Sequence, residues 1–294
     1  MRQMKKTQGA QITGAVMKNK GVFKRVETKY LLNTFQYHAL RAELEGIAGV
    51  DQYGETPILN IYYDTPDFRL IRTSLDKPLY KEKLRLRSYG TPSDESTSFV
   101  EIKKKFQGVV YKRRVPMRYA DAVQYLNNDL PESNMPAADL QAEISEQQRS
   151  WGSVERQISG EINYFRQRYL NLIPQMVVSY DRIAMFGIND PELRITFDRN
   201  IRWRTSDLDL RHSGYGHALL QPDQYLMEIK IMGAMPVELA NILSRLKIFS
   251  VSYSKYGSGY RRYFQFQTNY LVTQMLENEV STLHVLSEMR GAQA

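Results

Sequence analysis

The stretch "PLYKEKLRLRSYG", residues 78–90, constrains the fold more than any other part of this chain. A β-strand points every second side chain to the same face, so one face of this stretch carries four cations: Lys81, Lys83, Arg85 and Arg87. Leu84 and Leu86 lie on the opposite face. Cations in a row repel one another, and neighbouring strands with the same pattern add to that repulsion. The fold must therefore cover the apolar face and supply anions to the cationic one.

Period-two alternation recurs along the chain and predicts eight strands. We expect them at Val22–Leu32, Ile58–Asp64, Leu79–Tyr89, Ser98–Phe106, Val109–Met117, Gln175–Phe186, Leu193–Arg202 and Gln224–Ile231. Helices are expected after a cap at Asn33 or Thr34, at Ile158–Leu170, from Pro236 onward and at Tyr260–Met289. Because strands greatly outnumber strand–helix–strand units, we predict an α+β protein, a mainly antiparallel closed β-barrel with helices packed outside.

The sequence predicts one main domain with a segment on either side. Residues 1–21 are expected to form a flexible basic tail, 22–260 the barrel domain, and 261–294 a C-terminal helix. An acidic helical excursion is expected within the domain, at about 127–170. The first residues lack the apolar core of a signal peptide, and no stretch approaches the roughly 20 apolar residues that span a bilayer. We therefore expect a cytoplasmic protein, either free or peripheral at a membrane.

The charge distribution favours an anionic partner. The formal net charge is +8, and residues 77–118 alone hold twelve Lys and Arg against four Asp and Glu. In residues 121–161 the balance reverses, with two basic residues against eight acidic ones. A segregated positive excess is typical of proteins that bind phosphate, nucleic acid or a membrane surface. The absence of cysteine excludes disulfides, thiolate nucleophiles and Cys-ligated zinc.

Two arrangements fit the charged strand faces. Any single strand is compatible with an ordinary half-buried sheet whose polar face meets water. In the whole set, however, Lys and Arg dominate, and the flanking helices need an apolar surface on which to pack. If the apolar faces lie beneath helices, the cations line the inside of the barrel, where repulsion and desolvation are unfavourable unless a polyanion binds. Phosphate chains suit such a lining, because Arg makes forked contacts and Lys supplies a point charge.

Three carboxylates share the cationic faces. Glu27, Glu101 and Glu228 each lie two residues from a Lys on the same face. They could offset the repulsion between cations, or they could hold Mg²⁺ or Mn²⁺, which bind carboxylate and phosphate oxygens. Glu228 is the first candidate metal ligand, and Glu27 and Glu101 are the others.

Eight short motifs resemble the polyphosphate polymerase domain of the vacuolar transporter chaperone (VTC) family, which lies within the triphosphate tunnel metalloenzyme superfamily. The motifs occur in order between about Phe23 and Tyr260. They are "ETKY", "IYYDT", "LRLRSYG", "VEIKKK", "YDRIAM", "LRITFD", "MEIKI" and "YSKYGSGY". The resemblance implies an antiparallel tunnel barrel that binds ATP and inorganic polyphosphate and uses Mn²⁺ or Mg²⁺. It also implies an ATP–polyphosphate phosphotransferase, which moves the γ-phosphate of ATP onto a growing chain.

The same resemblance implies roles for individual residues. Those that would grip the triphosphate and the growing chain are Lys29, Arg85, Arg87, Lys103, Tyr180, Arg182, Arg194, Ser254 and Lys255. Within this set, the group that would stabilise the transferring phosphoryl consists of Arg85, Arg87, Arg182 and Arg194. Glu228 matches the family's metal-binding carboxylate. Alternation also turns further lysines inward without deciding whether they touch substrate: Lys81, Lys83, Lys105 and Lys230.

The chain departs from the larger family members in two respects. We expect it to lack the inositol-phosphate-sensing domain and the membrane spans of the eukaryotic complex, so passage of product across a membrane would need a separate membrane-protein partner. Arg25 stands where the superfamily's ExExK motif has its first Glu. This substitution favours the polymerase branch over the small-molecule triphosphatases.

The expected mechanism is in-line transfer, in which ATP binds at one tunnel mouth and the terminal phosphate of an acceptor chain attacks the γ-phosphate. The lengthened chain would then thread through the tunnel. The same clamp would also serve a hydrolase of tripolyphosphate or of RNA 5′-triphosphates. A third alternative is a non-catalytic binder of polyphosphate or nucleic acid; nucleic acid is the less expected ligand, because its binding favours aromatic platforms on an open face.

We predict that Arg85→Ala or Arg194→Ala abolishes turnover while the melting temperature holds or rises, because each substitution removes an inward-facing cation. Activity assays and thermal unfolding of the purified variants check this. A large fall in melting temperature would instead show that these arginines support the fold.

Overall fold

The computed structural model describes residues 25–107, 109–127, 151–212 and 214–291 of the chain. The strands are β1 (Arg25–Asn33), β2 (Ala48–Asp64), β3 (Tyr80–Tyr89), β4 (Thr97–Phe106), β5 (Val109–Arg118), β6 (Ile173–Gly187), β7 (Arg194–Arg204), β8 (His217–Ala218) and β9 (Gln224–Met232). The helices are α1 (Thr34–Glu43), α2 (Arg69–Leu75), α3 (Tyr119–Asn127), α4 (Ser153–Arg168), α5 (Val237–Arg245) and α6 (Lys255–Gly291). The eight predicted strands correspond to all of these strands except the two-residue β8.

The strands form one antiparallel sheet, in the order β1-β9-β7-β6-β2-β3-β4-β5, with β8 paired to β7. The sheet curls strongly enough to bring β4 close to the far edge strand β1. An ion pair of 3.8 Å between Lys103 on β4 and Glu27 on β1 shows this. Among the described residues, β1 and β5 do not pair with each other, so the sheet is barrel-like without a hydrogen-bonded closure. The predicted fold class, a mainly antiparallel barrel with helices outside, is confirmed in this form.

Helices cover the outer face of the sheet in two patches. Next to β3, β4 and β5, side chains of α3 and α4 pack on the apolar strand residues Leu84, Leu86, Val100, Ile102 and Val115. Next to β1, β7 and β9, α1 and α5 pack on Tyr30, Ile195, Phe197, Met227 and Ile229. These strand residues alternate with the charged ones, so burial of the apolar face turns the charged face inward. We call the space enclosed by that inner face the lumen.

A third apolar cluster closes one end of the lumen. Its strand members come from β2, β6, β7 and β9: Ile58, Tyr62, Met176, Val178, Tyr180, Ile201, Trp203 and Leu226. Phe68 and Ile71, at the start of and within α2, and Tyr256, in the first turn of α6, pack against them. Ile71 is 0% exposed and Tyr256 is 2% exposed. This end therefore differs from the open tunnel through which a phosphate chain was expected to thread.

The caps explain where two of the helices begin. Asn33 caps α1 as predicted, and its side chain and that of Gln36 form a reciprocal capping box. Helix α2 was not predicted from the sequence. Its N-cap residue is Phe68, and its first backbone N–H groups donate to the buried carboxylate of Asp64, from Leu70 at 2.8 Å and from Ile71 at 3.0 Å. A carboxylate several residues upstream in the chain is not a local helix signal, which is why pattern analysis missed it.

Several predicted boundaries differ from the structure. Strand β2 begins at Ala48, ten residues before the predicted start. The segment "AGVDQYGETP" contains Gly and Pro, which disfavour a strand prediction, but it pairs with β6 in the structure. Helix α3 was not predicted either. Helix α6 begins at Lys255, inside the predicted domain of residues 22–260, so the C-terminal helix and the barrel overlap. The tail at 1–21 and most of the acidic excursion lie outside the described residues. Within the described part of the chain, no helix combines the length and apolar character needed to cross a membrane.

Two glycines in helices form a matched test of how α6 fits the closed end. A Cβ added at Gly259, in α6, would lie 2.5 Å from the sulfur of buried Met176. One added at Gly160, in α4, would meet nothing within 4 Å. We expect Gly259→Ala to destabilise the fold by about 1–3 kcal/mol through overpacking. Gly160→Ala should stabilise it by about 1 kcal/mol through helix propensity. Denaturant unfolding of both variants checks this, and equal stability of the two would contradict the packing described for α6.

Candidate functional site

Two arginines of β3 lie in the lumen and are held by neighbours on both adjoining strands. Arg85 lies opposite Glu101 of β4, and its Nε and Nη2 approach Glu101 Oε2 at 2.7 and 2.6 Å. Its Nη1 donates to the Tyr62 hydroxyl at 3.3 Å. Arg87 donates to Asn60 Oδ1 at 2.8 Å and to the Tyr180 hydroxyl at 3.1 Å. Antiparallel pairing of β2, β3 and β4 thus fixes both guanidinium groups.

Glu101 is a shared counterion. It is 1% exposed, and besides Arg85 it contacts Lys112 Nζ at 2.7 Å and Arg87 Nε at 3.9 Å. Burial opposes its ionisation, but Arg85, Arg87 and Lys112 together hold the pKa of its carboxyl well below its usual range. Because Lys112 and Arg87 would still face it, loss of Arg85 would not leave this carboxylate unpaired. Both oxygens are engaged by cations, so the geometry favours charge compensation; the metal role of Glu101 stays a prediction.

A second ionic cluster surrounds Lys255, which is 8% exposed. Its Nζ lies 2.5 Å from Asp198 Oδ2 and 3.2 Å from Glu228 Oε1. Arg182 makes a forked contact with the same Asp198, at 2.6 and 2.8 Å. Burial opposes the charge on Lys255, but Asp198 and Glu228 raise its pKa above the usual value. The carboxylates of β7 and β9 thus hold two cations at the inner wall.

The candidate metal ligands lie beside this cluster. Lys29 Nζ is 3.6 Å from both Glu27 Oε1 and Glu228 Oε1, so one ammonium bridges the two carboxylates. Burial of Glu228 opposes its ionisation, but Lys255, Lys29 and Lys230 hold the pKa well below the usual range. Within the described residues, no three acidic or histidine side chains form a metal-binding group. Glu27 and Glu228 therefore fit a divalent cation only if phosphate and water supply its remaining oxygens.

The start of α6 forms the floor of the lumen. Lys29 Nζ donates to the Tyr253 carbonyl at 2.9 Å. Ser254 Oγ accepts the Gly257 backbone N–H at 3.2 Å, which caps α6, and also accepts from Lys83 Nζ at 3.3 Å. Tyr256 stacks on Tyr62, with ring centroids 4.3 Å apart. The residues that the resemblance assigned to phosphate contact here, Ser254 and Lys255, therefore lie at the closed end.

Arg194 is the predicted site residue that the structure does not bring into either cluster. It shares a strand face with Thr196 and Asp198, at the first position of β7. Its side chain is exposed and stacks over Phe186, with 4.8 Å from its Cζ to the ring centroid. Any contact of Arg194 with substrate would be at the rim of the lumen. Lys103, by contrast, lies inside, opposite Lys83.

Pattern analysis missed Asp198, Asn60, Tyr62 and Lys112 as site residues. Asp198 is 0% exposed, yet it holds Arg182 and Lys255. Strand alternation puts Asp198 on the same face as Arg194, and Asn60 and Tyr62 on the same face as Asp64. The missing signal was the register between strands, which shows that each lies beside a predicted cation.

The site supplies many cations in a confined space, with aromatic rings at one side. Arg182 and Lys255 lie against the Tyr180 ring, with 5.1 and 4.6 Å to its centroid. Such a surface neutralises phosphate charge and orients a phosphate chain without a nucleophilic side chain. A family model for the VTC domain matches residues 24–264.

This chain belongs to the VTC domain family. The match confirms the predicted resemblance to this family.

Solved structures similar to this VTC domain include two that are each described as a "putative adenylate cyclase". The one from Vibrio parahaemolyticus is 15% identical, covers 80% of this chain and 96% of its own, and has a TM-score of 0.39. The one from Bacillus halodurans is 16% identical, covers 79% and 94%, and has a TM-score of 0.43. The Schizosaccharomyces pombe Mediator head module is 7% identical over 76% and 90%, with a TM-score of 0.37. No curated protein sequence matches the chain.

The ionisation of Tyr180 reports on the charge of the lumen. Burial opposes ionisation of this phenol, but Arg87, Arg182 and Lys255 lower its pKa to about 8. An anion bound among these cations should raise that pKa, because it cancels their field. We therefore expect a tyrosinate absorbance step near pH 8 that moves upward when tripolyphosphate is added.

Tyr180→Phe should remove this step, whereas Tyr111→Phe, at an exposed tyrosine, should leave it unchanged. Retention of the step in Tyr180→Phe would show that another tyrosine produces it.

Proposed function

We propose that this VTC domain is a polyphosphate polymerase that transfers the γ-phosphate of ATP to a growing polyphosphate chain, with Mn²⁺ or Mg²⁺ as cofactor. The observation that carries this proposal is the excess of cations over carboxylates in one lumen. The inward cations include Lys29, Lys83, Arg85, Arg87, Lys103, Lys112, Arg182, Lys230 and Lys255, and the carboxylates that they contact are Glu27, Glu101, Asp198 and Glu228. A polyanion would supply the missing negative charge.

In this mechanism Arg85, Arg87 and Arg182 bind the oxygens of the transferring phosphoryl group, and Arg194 steers the substrate at the rim. Their positions are set by Glu101, Asn60 and Asp198 before substrate arrives, so little reorganisation is needed. A terminal phosphate oxygen of the acceptor forms a new P–O bond to the γ-phosphorus, the bond to the β-phosphate oxygen breaks, and ADP leaves.

The remaining residues hold the chains in place. Lys29, Lys103 and Lys255 supply point charges, and the hydroxyls of Tyr180 and Ser254 supply hydrogen bonds. Glu228 and Glu27 are the residues that would hold the divalent cation, which would neutralise phosphate charge as a Lewis acid. ATP and polyphosphate are thus the proposed partners, in a cytoplasmic or membrane-peripheral protein that could act with a separate membrane protein.

Hydrolysis of tripolyphosphate or of RNA 5′-triphosphates is the second candidate. The closed end favours it, because a short chain fits a lumen with one mouth, whereas threading of a long product would require α6 to move. The same arginines would serve this reaction, with water in place of the acceptor phosphate.

One incubation distinguishes these functions. We expect purified protein with ATP and Mn²⁺ to yield ADP and long phosphate chains on a gel that detects them, and Glu228→Gln to lose this turnover. Glu161→Gln, on the outer face, is the matched control and should retain it.

Free phosphate without chains would identify the hydrolase. Unchanged ATP together with retained binding of polyphosphate would identify a non-catalytic binder and contradict both enzymatic proposals.

A further inference from the structure

The lysines of the lumen differ in whether they have a counterion. Five of them lie 2.5 to 3.8 Å from a carboxylate oxygen: Lys29, Lys103, Lys112, Lys230 and Lys255. Lys83, in the middle of β3, has no such partner in the described part of the chain. Its Nζ instead donates to Ser254 Oγ at 3.3 Å. Lys83 therefore presents an uncompensated ammonium at the floor of the lumen.

The largest charge effects on Lys83 come from other cations, and the nearest carboxylates, Glu27 and Glu228, contact Lys29 and Lys103 instead. Lys81 and Arg85 flank it on β3, Lys103 lies opposite it on β4, and Lys29 faces it from β1. Helix α6 adds the Tyr256 ring, with 5.8 Å from Lys83 Nζ to its centroid. Burial, and then Lys103 and Lys29, lower the pKa of Lys83 to about 7. Even a half-buried cation without a counterion is unfavourable, so its retention needs a reason.

Ser254 offers the second half of an anion site. Its Oγ already accepts from Lys83 and from the Gly257 N–H, so its own hydroxyl proton can donate to an anion. Ser254 directly precedes the first turn of α6, and the positive end of the helix dipole adds to the attraction for an anion. A phosphate oxygen placed between Lys83 and Ser254 would thus receive two hydrogen bonds and complete the charge balance at the floor.

We propose that Lys83 is a phosphate-binding residue, which together with Ser254 holds one phosphoryl group of the substrate chain at the floor of the lumen. The proposal rests on the proposed function, since it takes a phosphate chain as the ligand. Binding favours the protonated ammonium, so the protein takes up a proton at Lys83 when a phosphate chain binds at a pH above neutrality. The affinity of the protein for the phosphate chain therefore depends on pH through the protonation of Lys83.

The test is binding of inorganic tripolyphosphate, without metal, measured by calorimetry one pH unit above the pKa of Lys83. Lys83→Met should weaken binding by about tenfold or more, because it removes a charged hydrogen bond. Lys104→Met makes the same charge change on the outer face, next to Glu161, and should weaken binding by about fivefold at most. The melting temperature of Lys83→Met without ligand should equal or exceed that of the unmodified protein, because an unpaired, half-buried cation is gone.

Lys83→Arg supplies the rescue, since arginine keeps the charge and does not titrate in this range. It should restore binding and reduce the proton uptake that the unmodified protein shows in buffers of different ionisation enthalpy. The proposal is overturned if Lys83→Met binds tripolyphosphate as the unmodified protein does. A large fall in its melting temperature would also overturn it, as Lys83 would then be structural. If the unmodified protein binds neither tripolyphosphate nor polyphosphate, the proposed function itself fails.

Discussion

Sharing of a few buried carboxylates among many cations is the interaction on which the rest of this structure depends. Glu101 contacts Arg85, Arg87 and Lys112, and Asp198 contacts Arg182 and Lys255. A buried cation is tolerated only when it is paired and hydrogen-bonded, and here each carboxylate serves two or three. The sharing keeps the lumen assembled while leaving it with an excess of positive charge. A site with that excess is suited to a phosphate chain.

One strand register produces both the ion pairs and the apolar packing. Arg85 lies opposite Glu101, Lys29 opposite Glu228, and Arg182 opposite Asp198. On the other face, the same register places the leucines and isoleucines beneath the helices. If a strand shifted its register by one residue, its cations would lie beneath the helices and its apolar side chains would face the lumen. Competing registers are therefore strongly disfavoured. The specificity of the fold and the geometry of the site therefore have one physical origin.

Helix α6 links the fold to the site through its first turn. Lys255 fills the space between two carboxylates, and Tyr256 both stacks on Tyr62 and donates to Asp64 at 2.9 Å. Asp64 also accepts the first backbone N–H groups of α2, so the two elements that close the lumen share one buried carboxylate. Burial of Asp64 raises the pKa of its carboxyl, despite hydrogen bonds from Leu70, Tyr256 and Ile71. The floor is thus a connected unit, and Lys83 meets it at Ser254.

The sequence alone determined the strands, the face to which each charge points and the family, because these follow from period-two alternation and short motifs within single segments. It also named Arg85, Arg87, Arg182, Lys29 and Lys255, all of which lie in the lumen. Only the tertiary structure decided which carboxylate serves which cation, since that depends on the register between strands distant in sequence. It also placed Arg194 at the rim and left Lys83 without a counterion. The closure of one end of the lumen was also decided only by the tertiary structure. It requires α2 and α6 to pack against four strands, and no local sequence pattern predicts that contact.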